Sequence, residues 1–417
     1  MKAQKILSLF AVLFFLTHCQ AEDLKNNCDP TNDDYKNIFT LKLIQEDESA
    51  YCGAKISLPG ICQLTTLEVI QPKKWKYVQR ELYKQSALGK EVTSFSTLDS
   101  PVSNVAKWLG GVMGKNRKIY GIPYNEDSIL SYDSTIDNIN VLPISLSGSG
   151  KWEGGVLAPN GKIYAIPRNA DSILVFDPER GTSEYIVSPL SGSNKWRGGI
   201  LAPNGKIYAI PISVNSILVI DPSDNSTSLI PFTTSQTNLW EGAVLAPNGK
   251  IYGIPVDGND ILIIDPESNS VSMLNVTISG TGKWRHGVLL PNGKILFVPS
   301  NSNYLLILDP ETNAMFSIKT PIEANSKWRG ASLGPDGNVY AFPSDISNIL
   351  VINSETYLMS LLETSISGGN KWGDGVVTPE GNIIAIPHTS NQLLKINTGA
   401  KGRICDSILQ SAYYNKY

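Results

Sequence analysis

Apolar positions in this chain fall in short blocks of four to six residues separated by polar turns, and they alternate rather than recur at helical spacing. One stretch shows the pattern in full. After Trp152, residues Gly155 to Ala158 enter a first strand that turns at Pro159-Asn160-Gly161, where asparagine and glycine accept the positive φ of a tight hairpin. Lys162 to Ile166 alternate as a second strand, closed by Pro167, which removes a ladder donor. Ser172 to Phe176 are apolar enough for burial on both faces and leave through Asp177-Pro178, and Glu184 to Val187 read as a fourth, outer strand. The block is repeated. Tryptophans stand at Trp108, Trp152, Trp196, Trp240, Trp284, Trp328 and Trp372, spaced 44 residues apart each time.

A lone four-stranded sheet of this size would expose both faces, whereas seven packed radially bury the faces of their inner strands. The expected fold is all-β, a seven-bladed β-propeller of 44-residue, four-stranded repeats behind a small amino-terminal segment. Stepping back 88 residues from the fourth strand of the second copy reaches Phe95 to Asp99, while the last copy runs out into a poor strand at Thr398-Gly399-Ala400-Lys401-Gly402. Residues 92–98 are therefore expected to supply the outer strand of the last blade. The rival is a last blade completed by Ile404 to Ile408. The expected boundaries are 1–18 for a signal peptide, 19–91 for a tether or cap, and 92–417 for the propeller. Within the middle segment Tyr35, Ile38 and Phe39, and then Trp75, Val78 and Leu82, recur at helical spacing.

Charge and cysteine content narrow the setting. A formal net charge of -3 over 417 residues, without a long basic run, excludes a nucleic-acid grip. Lys2 and Lys5 precede the apolar run Ile6 to Leu16, which is too short for a permanent span and fits an export signal. Leu16-Thr17-His18-Cys19 resembles a bacterial lipobox with an untypical histidine, which makes Cys19 the expected lipidation site and palmitate its acyl group. The alternative is plain secretion after a cut near Ala21. The remaining Cys28, Cys52, Cys62 and Cys405 are even in number and suit an oxidising compartment; three pairings are open, with Cys28–Cys52 and Cys62–Cys405 preferred.

The order P-N-G-K-I-Y followed by I-L-V-I-D-P-E resembles the YVTN or surface-layer type of bacterial propeller and, more loosely, the gluconolactonase and quinoprotein types; the marks of WD repeats are missing. The likeness covers Trp108 through Asn397. At the amino end, Asn27-Cys28-Asp29-Pro30 and Ser49-Ala50-Tyr51-Cys52-Gly53 resemble the segment after the lipobox in Leptospira-type spirochaetal lipoproteins. The resemblance implies a lipoprotein of the cell envelope, an outer-membrane lipoprotein first and a secreted or periplasmic protein as the alternative. It carries over no catalytic residue.

Residues present in every copy read as frame. The tryptophans are expected to wedge between blades. Lys107, Lys151, Lys195, Lys283, Lys327 and Lys371, with Leu239 as the exception, are expected at the strand mouth, where they could neutralise Asp177, Asp221, Asp265 and Asp309 or rim the central opening. Function is sought where the copies disagree. The residue after each tryptophan varies as Leu109, Glu153, Arg197, Glu241, Arg285, Arg329 and Gly373; two copies then carry His286 and Asp374; and the tetrapeptide after the proline varies, with Arg168 and His388 among its first residues. The candidate ligand rim is thus Glu153, Arg168, Arg197, Glu241, Arg285, His286, Arg329, Asp374 and His388, against the alternative of an ordinary solvated surface.

No nucleophile elbow, zincin, P-loop or dinucleotide fingerprint is present, so no catalytic residue, metal ligand or cofactor is assigned. The D-P-E and D-P-S turns are the loosest of candidates for Ca2+. The favoured function is a lipid-anchored envelope binding module that presents its variable loops to a protein or glycan ligand. A structural scaffold subunit and a propeller-type lactonase or hydrolase with a channel metal are the alternatives.

Overall fold

The computed structural model describes residue 71 and residues 93–234 and 238–399. Among the described residues twenty-eight strands form seven antiparallel four-stranded sheets, the blades of a β-propeller. Strands are lettered a to d within each blade, from the axis outward. Blade one is Trp108–Met113, Ile119–Pro123, Ser128–Asp133 and Asn138–Pro143; the a strands of blades two to seven begin at Trp152, Trp196, Trp240, Trp284, Trp328 and Trp372. The d strand of blade seven is Ser94–Asp99, paired antiparallel to Gln392–Asn397 from Ser94↔Asn397 to Asp99↔Gln392. The ring is thus closed by backbone pairing between the two ends of the repeat region.

Burial follows distance from the axis. Strands a and b are buried almost throughout, strands c over most of their length, and only the d strands alternate, as Thr182–Val187 does. The alternating pattern that first signals strands is therefore a property of the outermost ones. Inner strands read as continuous apolar runs because neighbouring blades cover both faces. Val112, Tyr120 and Ile122 of blade one pack against Trp152, Leu157 and Phe176 of blade two, and Trp108 and Leu130 against Val376, Ile384 and Ile386 of blade seven.

The first strand begins earlier than its apolar residues suggest. Trp152 already pairs with Pro167, a bulge follows, and the ladder resumes at Gly155↔Ala165. The Gly-Gly doublet after the tryptophan serves this bulge. Gly154 sits at φ 80°, a backbone setting that side chains rarely adopt, and a Cβ on Gly155 would lie 2.6 Å from Cδ1 of Ile122 in the preceding blade. The seven repeat tryptophans are all buried, and each indole N–H donates at 2.7–2.9 Å to the carbonyl twenty residues on, at the start of strand c of its own blade.

At the end carrying the P-N-G turns, adjacent blades are latched in one repeated way. Asn116, Asn160, Asn204 and Asn248 each donate to the tyrosine hydroxyl of their own strand b and to the Asp-Pro carbonyl of the next blade: Pro178, Pro222, Pro266 and Pro310. The aspartates of those turns pair with turn lysines, as Lys206 with Asp221 at 3.1 Å, Lys250 with Asp265 at 3.8 Å and Lys294 with Asp309 at 3.9 Å. Gln71 donates to the Pro203 carbonyl at the same end.

The lysines before the tryptophans do otherwise than expected. They lie at the opposite end of the blade, about 20 Å away along a six-residue strand, and do not meet Asp177, Asp221, Asp265 or Asp309. Each buried ammonium instead clamps loop carbonyls: Lys195 those of Ala170 and Gly192, and Lys371 those of Ser344, Ile346 and Gly368. One carbonyl comes from the preceding blade and one from the lysine's own loop, so the clamp ties neighbours together.

The expected disulfide bonds are corrected: no pair of cysteines stands at disulfide distance among the described residues. Cys28, Cys52, Cys62 and Cys405 lie outside them, as do the expected signal peptide, Cys19, the helical segments between Asp29 and Lys90, and Ile404 to Ile408. Among the described residues no helix is long and apolar enough to cross a membrane.

Candidate functional site

The divergent residues converge on one end of the propeller axis. Glu153, Arg197, Glu241, Arg285 and Arg329 occupy the second position of their a strands; His286 and Asp374 occupy the third in blades five and seven. Arg168 and His388 directly follow the prolines that close strand b in blades two and seven. These nine were expected on a rim of loops. Seven of them sit instead on the innermost strands, and most are buried, because the bulge after each tryptophan swings the next side chain toward the axis.

Two carboxylates organise the centre. Glu153 is ion-paired with Arg168 at 3.2 Å, Arg197 at 3.0 Å and Arg329 at 3.2 Å. Glu241 is ion-paired with Arg197 at 2.9 Å, Arg285 at 2.7 Å and Arg329 at 3.2 Å. Arg329, from blade six, therefore spans the axis to blades two and four. Burial pushes the Glu241 carboxyl up, but the guanidiniums of Arg197, Arg285 and Arg329 outweigh it and hold the group far below the ordinary carboxylate range. Burial opposes the charge on Arg197 too, and Glu153 and Glu241 overcome it, raising that guanidinium above its usual value.

The other members frame this network. Asp374 accepts the backbone N–H of Gly111 at 3.1 Å and of Gly375 at 2.7 Å. Blades five and seven resume their ladders at His286 and Asp374, one residue earlier than blades one to four, and this register admits a side chain where the others need glycine. Burial lowers His286 to about 4 against a partial pull from Glu241. Burial, reinforced by Arg329, lowers His388 to about 3, and its Nδ1 lies 3.2 Å from the Trp108 carbonyl. Both imidazoles are neutral at pH 7.

Two participants stand at the divergent positions but outside the candidate rim. Tyr124 bonds Arg168 through its hydroxyl, lies under that guanidinium at 5.3 Å, and meets His388 edge-on at 5.3 Å. It stands at the same repeat position as Arg168 and His388, which is the signal that would have found it. Leu109 fills the space beside Gly373, where an added Cβ would collide with it. The large residue in blade one and the small one in blade seven are complementary.

The funnel bounded by Glu153, Arg197, Glu241, Arg285, His286 and Asp374 narrows to a cavity of about 30 Å³. Among the described residues no group of three His, Cys, Asp or Glu side chains could hold a metal ion. The chemistry at hand is recognition of charge and of planar hydrogen-bonding groups by guanidiniums held in fixed directions.

The fold and this axial site define a seven-bladed, four-stranded β-propeller. No protein-family model matches the chain, and no curated protein matches it. Solved structures share the fold. A streptogramin B lyase aligns with a TM-score of 0.64 at 12% identity, covering 73% of this chain and 97% of its own. The extracellular domain assigned to a one component system of B. thetaiotaomicron aligns at 0.59 and 10% identity, covering 75% of this chain and 44% of that one. YCF48 bound to D1 peptide aligns at 0.57 and 13% identity, covering 74% and 97%. Identities this low speak for the fold alone.

Proposed function

We propose that this protein is a binding module of the cell envelope that takes a protein or glycan ligand on the axial end of its propeller. One observation carries the reading: the end built of P-N-G turns repeats a single latch in four blades, whereas the axial end gathers Glu153, Arg168, Arg197, Glu241, Arg285 and Arg329 into one connected site. A frame repeated seven times holds fixed what diverges upon it. The fold is shared with an extracellular domain and a peptide-bound propeller, which fits a ligand-holding role, and with a lyase as well. Lipid attachment at Cys19 would keep the ring at a membrane surface, in the manner of an outer-membrane lipoprotein.

A scaffold role is the second reading, favoured by Phe316, Leu358 and Leu361, exposed on or beside the d strands of blades five and six.

The test uses glycan and peptide arrays probed with the full chain. Asp127→Lys with Asp171→Lys alters the exposed charge of the axial end, and Glu179→Lys with Glu267→Lys that of the turn end. The expected result is an array profile changed by the first pair and kept by the second. A profile changed only by the second pair, or no retention on either array, would overturn the reading. Intact-mass measurement of the membrane-extracted protein tests the anchor, and an unacylated Cys19 removes it.

A further inference from the structure

The central network is unbalanced, and the imbalance has a location. Arg168, Arg197, Arg285 and Arg329 face Glu153, Glu241 and Asp374, four guanidiniums against three carboxylates. With both histidines neutral at pH 7, the wider axial network, Arg168 and Arg329 included, holds an excess of one positive charge. The excess is not spread evenly. Arg197 is enclosed between Glu153 and Glu241, and Arg168 is engaged by Glu153 and Tyr124. Arg285 pairs only through Nη1, with Glu241, and its side chain is 29% exposed, the most open of the four. Its Nε and Nη2 have no acceptor among the described residues. Arg329, in the next blade, uses Nε and Nη2 and leaves Nη1 in the same condition.

Open guanidinium N–H groups in a narrow, partly dehydrated funnel match the two-oxygen fork of a carboxylate. The size of the opening sharpens this. A cavity of about 30 Å³ has room for about two water molecules, enough for an end group and too little for a sugar ring or a side-chain ring. Only an end group can enter, while the rest of the ligand lies across the loops above. We infer that the axial funnel is a carboxylate-binding site, with Arg285 as the residue that grips the carboxylate and Arg329 beside it. The inference rests on the axial-end reading and names the ligand's chemistry. Glu241 positions Arg285, and the two neutral histidines leave the excess charge to the arginines.

The experiment is calorimetric titration of the full chain at low salt with paired probes, succinate against succinamide and glucuronate against glucose. The expected result is that the acids bind and their neutral partners do not, that affinity falls as salt is raised, and that Arg285→Gln weakens the acids about tenfold, the loss of one charge-assisted contact. Thermal unfolding of Arg285→Gln should stay close to that of the unaltered protein, since Glu241 keeps Arg197 and Arg329. Equal binding of acids and neutral partners would overturn the carboxylate site and leave the axial-end reading standing. Acid binding that survives Arg285→Gln would place the anion elsewhere and overturn the assignment. If neither acids nor neutral partners bind while the arrays retain the chain through its axial end, only the present inference fails.

Discussion

The two ends of this propeller are made from the same repeat and solve different problems. At the turn end, asparagine, tyrosine and the Asp-Pro carbonyl form one latch, repeated in blades one to four because each of those copies supplies the same parts. At the axial end the corresponding strand positions hold leucine, glutamate, arginine or glycine, and the pairing crosses blades: Glu153 draws on its own blade two and on blades three and six, and Glu241 on blades three, five and six. The lesson is about where stability is stored. A latch between neighbours is local and replaceable, whereas an axial network couples blades far apart in sequence, so loss of one member disturbs the pairing of several others.

The sharpest way to break the contrast is Glu241→Ala, which leaves Arg285 without its carboxylate and Arg197 and Arg329 with Glu153 alone in a largely buried site. It should cost about 3–5 kcal/mol in denaturant unfolding. A loss under about 1 kcal/mol would show that the axis relaxes as easily as the surface does.

Acidification probes the same end without mutation. His286 and His388 have folded values depressed to about 4 and about 3, below the unfolded value near 6.5, so the unfolded chain binds more protons between those limits. Their contribution is complete above about pH 6.5 and is lost as pH falls through about 4, amounting to about 3 kcal/mol for each if it stays buried. Melting temperature should therefore fall from pH 7 to pH 4, and His286→Asn with His388→Asn should flatten the slope. An unchanged slope in that double variant would assign the acid sensitivity elsewhere.

A smaller effect comes from the lysine clamps. Lys195→Leu reproduces at blade three what blade four already has in Leu239; removing the ammonium leaves the Ala170 and Gly192 carbonyls short of a donor at a cost of about 1–3 kcal/mol. The smallest belongs to the turn end. Lys250→Gln removes a half-exposed pair with Asp265 and should change stability by less than about 0.5 kcal/mol, within the error of a chemical melt.

Much of the frame can be read along the chain. The 44-residue spacing of the tryptophans, the P-N-G turns and the step back to Phe95 contain the blade count, the hairpins and the strand that pairs with Gln392–Asn397. The candidate residues were found by their divergence, but their setting was not. A strand's alternation tells which side a residue faces, and the bulge between Trp152 and Gly155 breaks that alternation at the point where Glu153 lies. One of the two settings expected for the lysines fails for a related reason: opposite charges suggest pairing, while Lys195 and Asp221 stand at opposite ends of their strands.

The sequence by itself determined what repetition can encode, namely strand length, turn chemistry and the number of blades, since these depend on residues close together in one copy. Which charges meet was decided only by closure of the ring. Glu153 and Arg329 are 176 positions apart and Gly111 and Asp374 are 263 apart. No local preference relates such residues. They become neighbours because the inner strands of the seven blades point their divergent side chains at one axis, where burial removes the water that would have kept them separate.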